Sequence, residues 1–362
     1  MRMRDRHIYN LLGLTFDAIG MEGTVNAILD AINGNQKLFL STPNLNFLVA
    51  SLKSEAFRRS VLNSNLSIAD GMPIVFMCKL LNIPITERVA GSSLIDELRN
   101  NITCRNKPIK VFFFGGQDGI AERAHKKLNQ DKGGLTSVGY LNPGFGTVQD
   151  MSSTDIIESI NKAGPDFIIV SLGAKKGQAW IEENRQQLNA NVISHLGAVV
   201  NFIAGNVKRA PHWVQKIHME WIWRIKEEPT LFKRYLNDGC VFLKLLITKI
   251  LPYRLIIKGY NAHTTPKITV DDDLCVISFK GDLTLPQKQL LNVTFEQFKA
   301  RENDLTLDMS KVTYVDQAIL GVLLNAFALR EKNGFKIRIT GLTQPMKRIF
   351  QLNNLAYMVE NP

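Results

Sequence analysis

Two short segments, 41–46 (STPNLN) and 68–73 (IADGMP), carry small polar side chains and one carboxylate, which are residue types that catalysis and ligand binding use. Each follows an apolar run typical of a strand and precedes a run typical of a helix. Ligands bind at this edge of an open α/β sheet, because loops converge there and helix N-termini direct backbone N–H groups at anions. Asp70 is therefore a candidate general base or sugar ligand. The alternative for a lone Asp-Gly pair is an aspartate that caps the next helix.

The surrounding sequence predicts the sheet that positions these segments. Continuous apolar runs at 109–114, 167–171 and 191–194 are what strands covered on both faces of a parallel sheet require. Helix-like stretches such as 175–188 separate them, and this alternation is typical of right-handed β-α-β crossovers. We therefore expect an α/β fold, a Rossmann-like sandwich with a mostly parallel sheet, over residues 1–206.

The net charge of +11 is concentrated in residues 207–258, where 11 Lys and Arg stand against 4 Asp and Glu. Trp213, Trp221 and Trp223 alternate with these basic residues. Such a composition favours a helical, basic and aromatic appendage that lies among the headgroups of an anionic membrane surface. The alternative is a pair of surface helices with a solvated basic face. No helix-turn-helix or RNA-recognition pattern accompanies the charge, so nucleic acid is not an expected partner.

The remaining composition indicates a cytoplasmic protein with a second domain. The four scattered cysteines form no Cys-x-x-Cys pair, which argues against a zinc site or a disulfide framework and suits a reducing compartment. We expect neither a secretory signal nor a membrane span. Residues 259–266 are predicted to form a linker, and residues 267–362 a small α/β domain with its own core.

Five motifs occur in one order along the first 260 residues. They are 41–44, 69–73, 88–92, 171–180, and 208–211 followed by Glu220-Trp221 and Arg224. Together they resemble the WecG/TagA/CpsF glycosyltransferases (glycosyltransferase family 26) of bacterial surface-polysaccharide synthesis, over roughly residues 10–250. The resemblance implies inverting transfer of a hexosyl or N-acetylhexosaminyl group from a UDP-sugar to a polyprenyl-diphosphate-linked saccharide. It also implies a peripheral protein on the cytoplasmic face of the plasma membrane.

The resemblance assigns roles to individual residues. It implies that Asp70 is the general base that deprotonates the acceptor hydroxyl, a role that a carboxylate fills at hydrogen-bond distance. Thr42 and Asn44 would hydrogen-bond the donor sugar or its diphosphate, and the alternative for each is capping of the helix that begins near Leu45. Arg88 would bind phosphate oxygens through its guanidinium fork. The implied substrate-binding residues are Thr42, Asn44, Gly71, Arg88, Gly91, Gly173, Lys175, Lys176 and Gln178.

The sequence departs from the family pattern at two places. Residues 175–178 are Lys-Lys-Gly-Gln where the family typically has Pro-Lys-Gln-Glu, and Ser93 stands where the family often has Asp. The loop at 173–177 still offers backbone N–H groups and two lysines to a leaving UDP. The altered loop leaves an alternative open, a catalytically silent UDP-sugar-binding regulator or scaffold.

The transferase-like region contains no Asp-x-Asp motif. We therefore expect no dedicated metal site and no cofactor. Magnesium associated only with the nucleotide diphosphate is the alternative that stays open.

Residues 207–258 resemble the C-terminal appendage of the same family. The resemblance implies that this segment docks the enzyme on the membrane and supplies arginines to the active site. The candidates are Arg209, Arg224 and Arg234. The alternative for each is a solvent-exposed charge that meets lipid phosphates.

The C-terminal domain resembles STAS domains through residues 305–310 and 315–324. In regulatory STAS domains a phosphorylated serine follows the aspartate that opens the helix. This chain has Gln317 and Ala318 after Asp316, and neither side chain accepts a phosphoryl group. We therefore expect Asp316 to cap the helix and the domain to be an interaction module for an unknown protein partner.

Overall fold

The computed structural model describes residues 6–101, 104, 107–216, 219–260, 264–271, 273–298 and 302–359. These residues divide into two compact units. The large unit comprises Ile19–Ile74 and Glu87–Val241, and the small unit comprises Met1–Ala18, Val75–Thr86 and Phe242–Pro362. The predicted linker, 259–266, falls within the small unit, and its residues 261–263 lie outside the described residues.

The described strands and helices are numbered here in chain order. The strands are β1 (Ile8–Leu11), β2 (Leu14–Asp17), β3 (Leu38–Ser41), β4 (Leu66–Ser67), β5 (Ile109–Gly115), β6 (Leu135–Leu141), β7 (Phe167–Ser171), β8 (Val192–His195), β9 (Lys267–Asp271), β10 (Val276–Leu283), β11 (Leu305–Val315) and β12 (Ile337–Thr340). The helices are α1 (Met21–Asn33), α2 (Leu45–Lys53), α3 (Glu55–Leu62), α4 (Met72–Leu80), α5 (Gly91–Asn100), α6 (Ile120–Gln130), α7 (Thr154–Ala163), α8 (Ala174–Asn184), α9 (Gly197–Ala204), α10 (His212–Lys216), α11 (Glu220–Glu227), α12 (Phe232–Leu245), α13 (Leu251–Gly259), α14 (Lys288–Phe298), α15 (Gln317–Lys332) and α16 (Gln344–Leu352).

The large unit is built on a parallel sheet with the strand order β4-β3-β8-β7-β5-β6. Side chains alternate between its two faces, so that Val111 and Phe113 enter one apolar core and Phe112 and Phe114 enter the other. Helices α1, α5, α6 and α9 cover the first core, and α7 and α8 cover the second. The predicted Rossmann-like sandwich is thereby confirmed.

The topology directs the polar segments to one edge of this sheet. Because all its strands are parallel, the turns after β3, β4, β7 and β8 lie at the same carboxyl edge. The chain leaves β5 toward β6 and leaves β7 toward β8, in opposite directions across the sheet. Neighbouring strands whose connections diverge in this way open a crevice at their carboxyl ends.

The small unit contains a second sheet with the order β12-β11-β10-β9, in which only the β9–β10 pairing is antiparallel. Helices α14, α15 and α16 belong to this unit, and the small α/β domain predicted for the C-terminal residues is confirmed. The unit also contains an antiparallel hairpin, β1–β2, which the sequence pattern did not predict. Its turn holds both Leu12 and Gly13 at positive φ, as tight hairpin turns require, and leucine rarely adopts that conformation.

The basic appendage is helical, as predicted. Beyond α11, a short 3₁₀ turn leads into α12, a π-helical segment (Leu246–Ile250) and α13 without a break. Pro252 lacks the backbone N–H that a regular helix uses at this position, so the widened turn lies directly before it. Within the described ranges, every helix is too short or too polar to cross a bilayer.

Candidate functional site

The turn that carries Asp70 joins the motif segments at the carboxyl edge of the large unit. The Asp70 N–H donates to the carbonyl of Pro43 at 3.1 Å, and the Val89 N–H donates to the carbonyl of Ala69 at 2.9 Å. Gly71 has a φ of +126°, a conformation that favours glycine. These backbone contacts bring together segments that lie far apart in the sequence.

The Asp70 carboxylate lies at the N-terminus of α5. It accepts a hydrogen bond from the N–H of Gly91, where α5 has no side-chain cap of its own. Burial raises the pKa of Asp70 to about 6; nearby Arg88 lowers it, Glu220 raises it and the Gly91 N–H lowers it. A carboxylate with this pKa is mostly ionised at neutral pH, yet it accepts a proton more readily than an ordinary aspartate.

A charge cluster surrounds this carboxylate. Arg88 pairs with Glu220 at 2.6 Å, and both side chains are partly buried. Arg209 of the appendage donates to Ser93 Oγ at 2.8 Å and pairs with Asp96. Burial lowers the pKa of Arg209, which also feels the charges of Glu220 and Arg88. The guanidinium groups of Arg88 and Arg209 therefore lie near each other and near Glu220, and Ser93 positions that of Arg209.

Glu220 was not among the predicted site residues, although the Glu220-Trp221 pair is part of the motifs that carry the family resemblance. Its partner Arg88 lies 132 positions earlier in the chain. A pairing over that separation has no local signature in the sequence.

The two predicted ligand residues after β3, Thr42 and Asn44, differ in their surroundings. Asn44 Oδ1 accepts from the Phe47 N–H at 3.1 Å and caps α2, so the capping alternative holds for this side chain. Thr42 is buried. Asn44 also lies next to the Asp70 turn. A Cβ on Gly71 would be in van der Waals contact with the Asn44 Cβ, at 3.8 Å.

The loop predicted at 173–177 is largely the start of α8, because that helix begins at Ala174 with Gly173 before it. One side chain of α8 reaches the sheet edge. Gln178 is fully buried and its Nε2 donates to Ser41 Oγ at 3.1 Å. The Lys176 ammonium donates to the carbonyl of Gly146 at 2.8 Å. Lys175 and Gly173 are exposed, and Gly173 has a φ of +80°. The two lysines thus differ, since one is fixed to a backbone carbonyl and the other faces solvent.

His195, at the end of β8, is a polar residue of this edge that sequence reasoning missed. The side chain is 8% exposed, and burial lowers its pKa to about 4, so the imidazole is neutral at pH 7. A Cβ on Gly177 would lie 2.2 Å from the ring, which requires glycine there. Among the described residues, His195 Nε2 and Gln178 Oε1 have no hydrogen-bond partner. Buried polar atoms of this kind are natural contacts for a polar ligand.

The sequence of this chain is similar to those of known proteins over both of its predicted regions. A sequence model described as the glycosyl transferase WecG/TagA/CpsF family matches residues 9–255. The chain belongs to this family. A second model, described as Mlab, STAS domain, matches residues 268–360, so this WecG/TagA/CpsF chain carries a C-terminal STAS domain.

Curated relatives of the WecG/TagA/CpsF region share the same printed name, N-acetylglucosaminyldiphosphoundecaprenol N-acetyl-beta-D-mannosaminyltransferase. The Bacillus subtilis protein is 28% identical over 198 residues, which cover 55% of this chain and 75% of the relative. The Bacillus spizizenii protein is 25% identical over 57% of this chain and 77% of the relative. The Staphylococcus aureus protein is 26% identical over 59% of this chain and 83% of the relative.

The two other appendage arginines of this family member have partners of their own. Arg224 pairs with Glu228 at 2.5 Å and lies over the ring of Phe202. Arg234 lies over the ring of Tyr235. Of the three predicted appendage arginines, Arg209 is therefore the one whose described contacts join it to the Asp70 cluster.

Proposed function

We propose that this protein transfers a sugar from a UDP-sugar to a polyprenyl-diphosphate-linked saccharide in surface or exopolysaccharide synthesis. Membership of the WecG/TagA/CpsF family and the printed names of its relatives support a glycosyltransferase with a lipid-linked acceptor. The observation that carries the proposal is the Asp70 carboxyl, with a pKa of about 6 beside Arg88. N-acetylmannosamine is the first sugar to test, because the relatives' names specify it.

In the proposed reaction, Asp70 takes the proton of the acceptor hydroxyl. The acceptor oxygen attacks the anomeric carbon of the donor sugar, the bond from that carbon to UDP breaks, and UDP leaves with the electron pair. Attack from the face opposite UDP inverts the anomeric configuration. Asp70 suits this task because a base with a pKa near neutral combines a large ionised fraction with a useful proton affinity.

The leaving diphosphate needs positive charge, and the site offers two guanidinium groups. Arg88 and Arg209 are each held by a carboxylate, Glu220 and Asp96 respectively. Such pairing fixes the guanidinium fork before the substrate arrives, so that little side-chain ordering is needed during the reaction. The predicted contacts of Lys175 with UDP fit its exposed position.

We propose further that no dedicated metal ion takes part. Magnesium would then bind only through the diphosphate of the nucleotide. The test is turnover after dialysis against EDTA, with and without added Mg2+. Retained turnover agrees with this proposal, as does a loss that Mg2+ restores when the substrate-free protein binds no Mg2+. Stoichiometric binding of Mg2+ by the substrate-free protein contradicts it.

The appendage gives the proposed enzyme a route to a lipid-borne acceptor. In the small unit, Leu243, Ile247, Leu251 and Leu255 recur every four residues and are exposed, whereas Ile250 and Tyr253 are buried. Four-residue spacing places the exposed side chains in one stripe along the helix. An exposed apolar stripe flanked by lysines is typical of a helix that lies in the interface of an anionic membrane.

The membrane proposal is tested by co-sedimentation with liposomes that contain anionic phospholipid. We expect the double substitution Ile247→Glu and Leu255→Glu to reduce bound protein at least ten-fold. Leu274→Glu is the matched control, because Leu274 is equally exposed in the same unit (71%, as for Leu255) but lies outside the helix. Equal binding by the double variant and the control would contradict the proposal.

The catalytic proposal is tested by product analysis with the purified full-length protein. A panel of UDP-sugars is offered with a short-chain polyprenyl-diphosphate N-acetylglucosamine, and the glycolipid is examined by mass spectrometry and NMR. One donor should give an elongated, inverted product. Binding of UDP without product from any donor would favour the scaffold function instead. The observation that favours that second function is the Lys176 ammonium, which is bound to the Gly146 carbonyl.

A further inference from the structure

Helix α15 of the STAS domain is buried almost all round. Its residues 317–326 are all buried, although a helix that lies on one sheet buries only one stripe of side chains. Apolar residues fill both sides of the helix, including Ile319, Leu320, Leu323 and Leu324. A second element must therefore cover the side of α15 that faces away from its own sheet.

The element that covers α15 is the β1–β2 hairpin of the same chain. Gly321 faces the hairpin backbone so closely that a Cβ there would lie 2.9 Å from the Tyr9 Cα and 3.0 Å from the Asn10 nitrogen. Ile8, Leu11, Leu14 and Phe16 of the hairpin are all buried. A two-stranded hairpin has little stability alone, so this contact supplies the packing that the hairpin needs.

A buried amide cluster fixes the hairpin on the start of α15. Asn10 Nδ2 donates to Gln317 Oε1 at 2.8 Å and to Asn353 Oδ1 at 2.9 Å. Gln317 Nε2 donates to Asn353 Oδ1 at 2.7 Å, and Asn10 Oδ1 accepts from the Gly13 N–H. All three amide side chains are buried. A buried polar network with its groups paired specifies one arrangement, because any slippage leaves polar groups without partners.

We propose that the partner of the STAS domain is the N-terminal hairpin of its own chain. Gln317 occupies the position after Asp316 where regulatory STAS domains carry a phosphorylated serine, and here it binds the hairpin. The face of α15 around Gln317 and Gly321 is thereby an intramolecular docking surface. The hairpin includes residues that the WecG/TagA/CpsF model matches, from residue 9 onward. The STAS domain thus completes the fold of the transferase sequence and does not recruit a second protein through this face.

The proposal is tested by hydrogen exchange of the hairpin amides, residues 8–17, in the full-length protein. Gly321→Val should accelerate their exchange at least ten-fold, because the added carbons meet the Tyr9 backbone. The matched control is Gly259→Val, at the end of another helix of the same unit, where a Cβ meets no atom within 4 Å. Equal hairpin exchange in the two variants would overturn the proposal.

A second pair of variants keeps the test decisive if Gly321→Val does not fold. Asn10→Asp replaces the donating amide by a carboxylate oxygen that faces two acceptor oxygens, Gln317 Oε1 and Asn353 Oδ1. The control is Asn206→Asp, at an exposed residue. We expect faster hairpin exchange only in Asn10→Asp. Hairpin protection that stays at the wild-type level in Asn10→Asp would mean that the cluster does not hold the hairpin, and the proposal would fail.

Discussion

Glu220→Gln should shift the pH dependence of sugar transfer toward acid. Glu220 raises the pKa of Asp70 by its charge and also occupies Arg88, the group that lowers it. The substitution removes the first effect and releases Arg88 to act on Asp70 alone. Both changes favour the ionised carboxylate, so the pKa of Asp70 must fall.

The size of the shift is bounded by the structure. The rise of the Asp70 pKa from 3.8 to about 6 is equivalent to about 3 kcal/mol. Burial is its largest cause, so we assign the Glu220 pair a smaller share, about 1.4 kcal/mol or one pH unit. The midpoint of the acid limb then moves to about 5. At pH 5, activity relative to each enzyme's own plateau should be roughly five-fold higher in the variant than in the wild type.

The assay is kcat/KM for the donor between pH 4.5 and 8.5, measured on the glycolipid product, because this quantity reports the ionisation of the free enzyme. Glu228→Gln is the matched control. Glu228 pairs with Arg224 in the same segment but does not affect the pKa of Asp70. An acid limb that stays near pH 6 in Glu220→Gln, or moves to higher pH, would show that Glu220 does not raise the pKa of Asp70.

Three further predictions concern side chains whose surroundings are described above. Asp70→Asn should raise the free energy of unfolding at pH 8 by up to about 3 kcal/mol, measured by denaturant titration. The reason is that the pKa of Asp70 is raised in the folded protein, so the wild type loses stability as pH rises from about 4 through 6. An unchanged free energy of unfolding would argue against burial of the charge. Arg209→Ala should lower kcat at least ten-fold, whereas Arg234→Ala should change it less than two-fold. Equal losses in the two variants would contradict the placement of Arg209, and not Arg234, in the active site. Asp17→Asn breaks the buried pair with Arg6 and should cost about 3–5 kcal/mol of unfolding free energy; a loss below 1 kcal/mol would show that the pair is dispensable.

The architecture of both units follows from local patterns in the sequence. Continuous apolar strands and the helices between them predicted the large parallel sheet, and Asp316 caps α15 as expected. The Asp70 turn could be predicted because its position at a strand end is a local property. The same holds for the capping role of Asn44, which depends only on the start of α2.

The features that could not be predicted depend on partners distant in the sequence. Glu220 joins the site through Arg88, and His195 lies one residue beyond the predicted end of its strand, against Gly177. The hairpin is covered by α15, about 300 residues later. Its turn places a leucine at positive φ, which no propensity favours. Packing against α15 offsets that local cost.

The central claim is that Asp70 is the base of an acceptor-dependent sugar transfer. The measurement that tests it most directly compares acceptor-dependent UDP release by the wild type and by Asp70→Ala, beside the UDP affinity of both proteins. We expect UDP release from one donor in the wild type, a loss of at least a thousand-fold in Asp70→Ala, and UDP affinities of the two proteins that agree within about two-fold. Unchanged turnover in Asp70→Ala would remove this carboxylate from the mechanism and contradict the account.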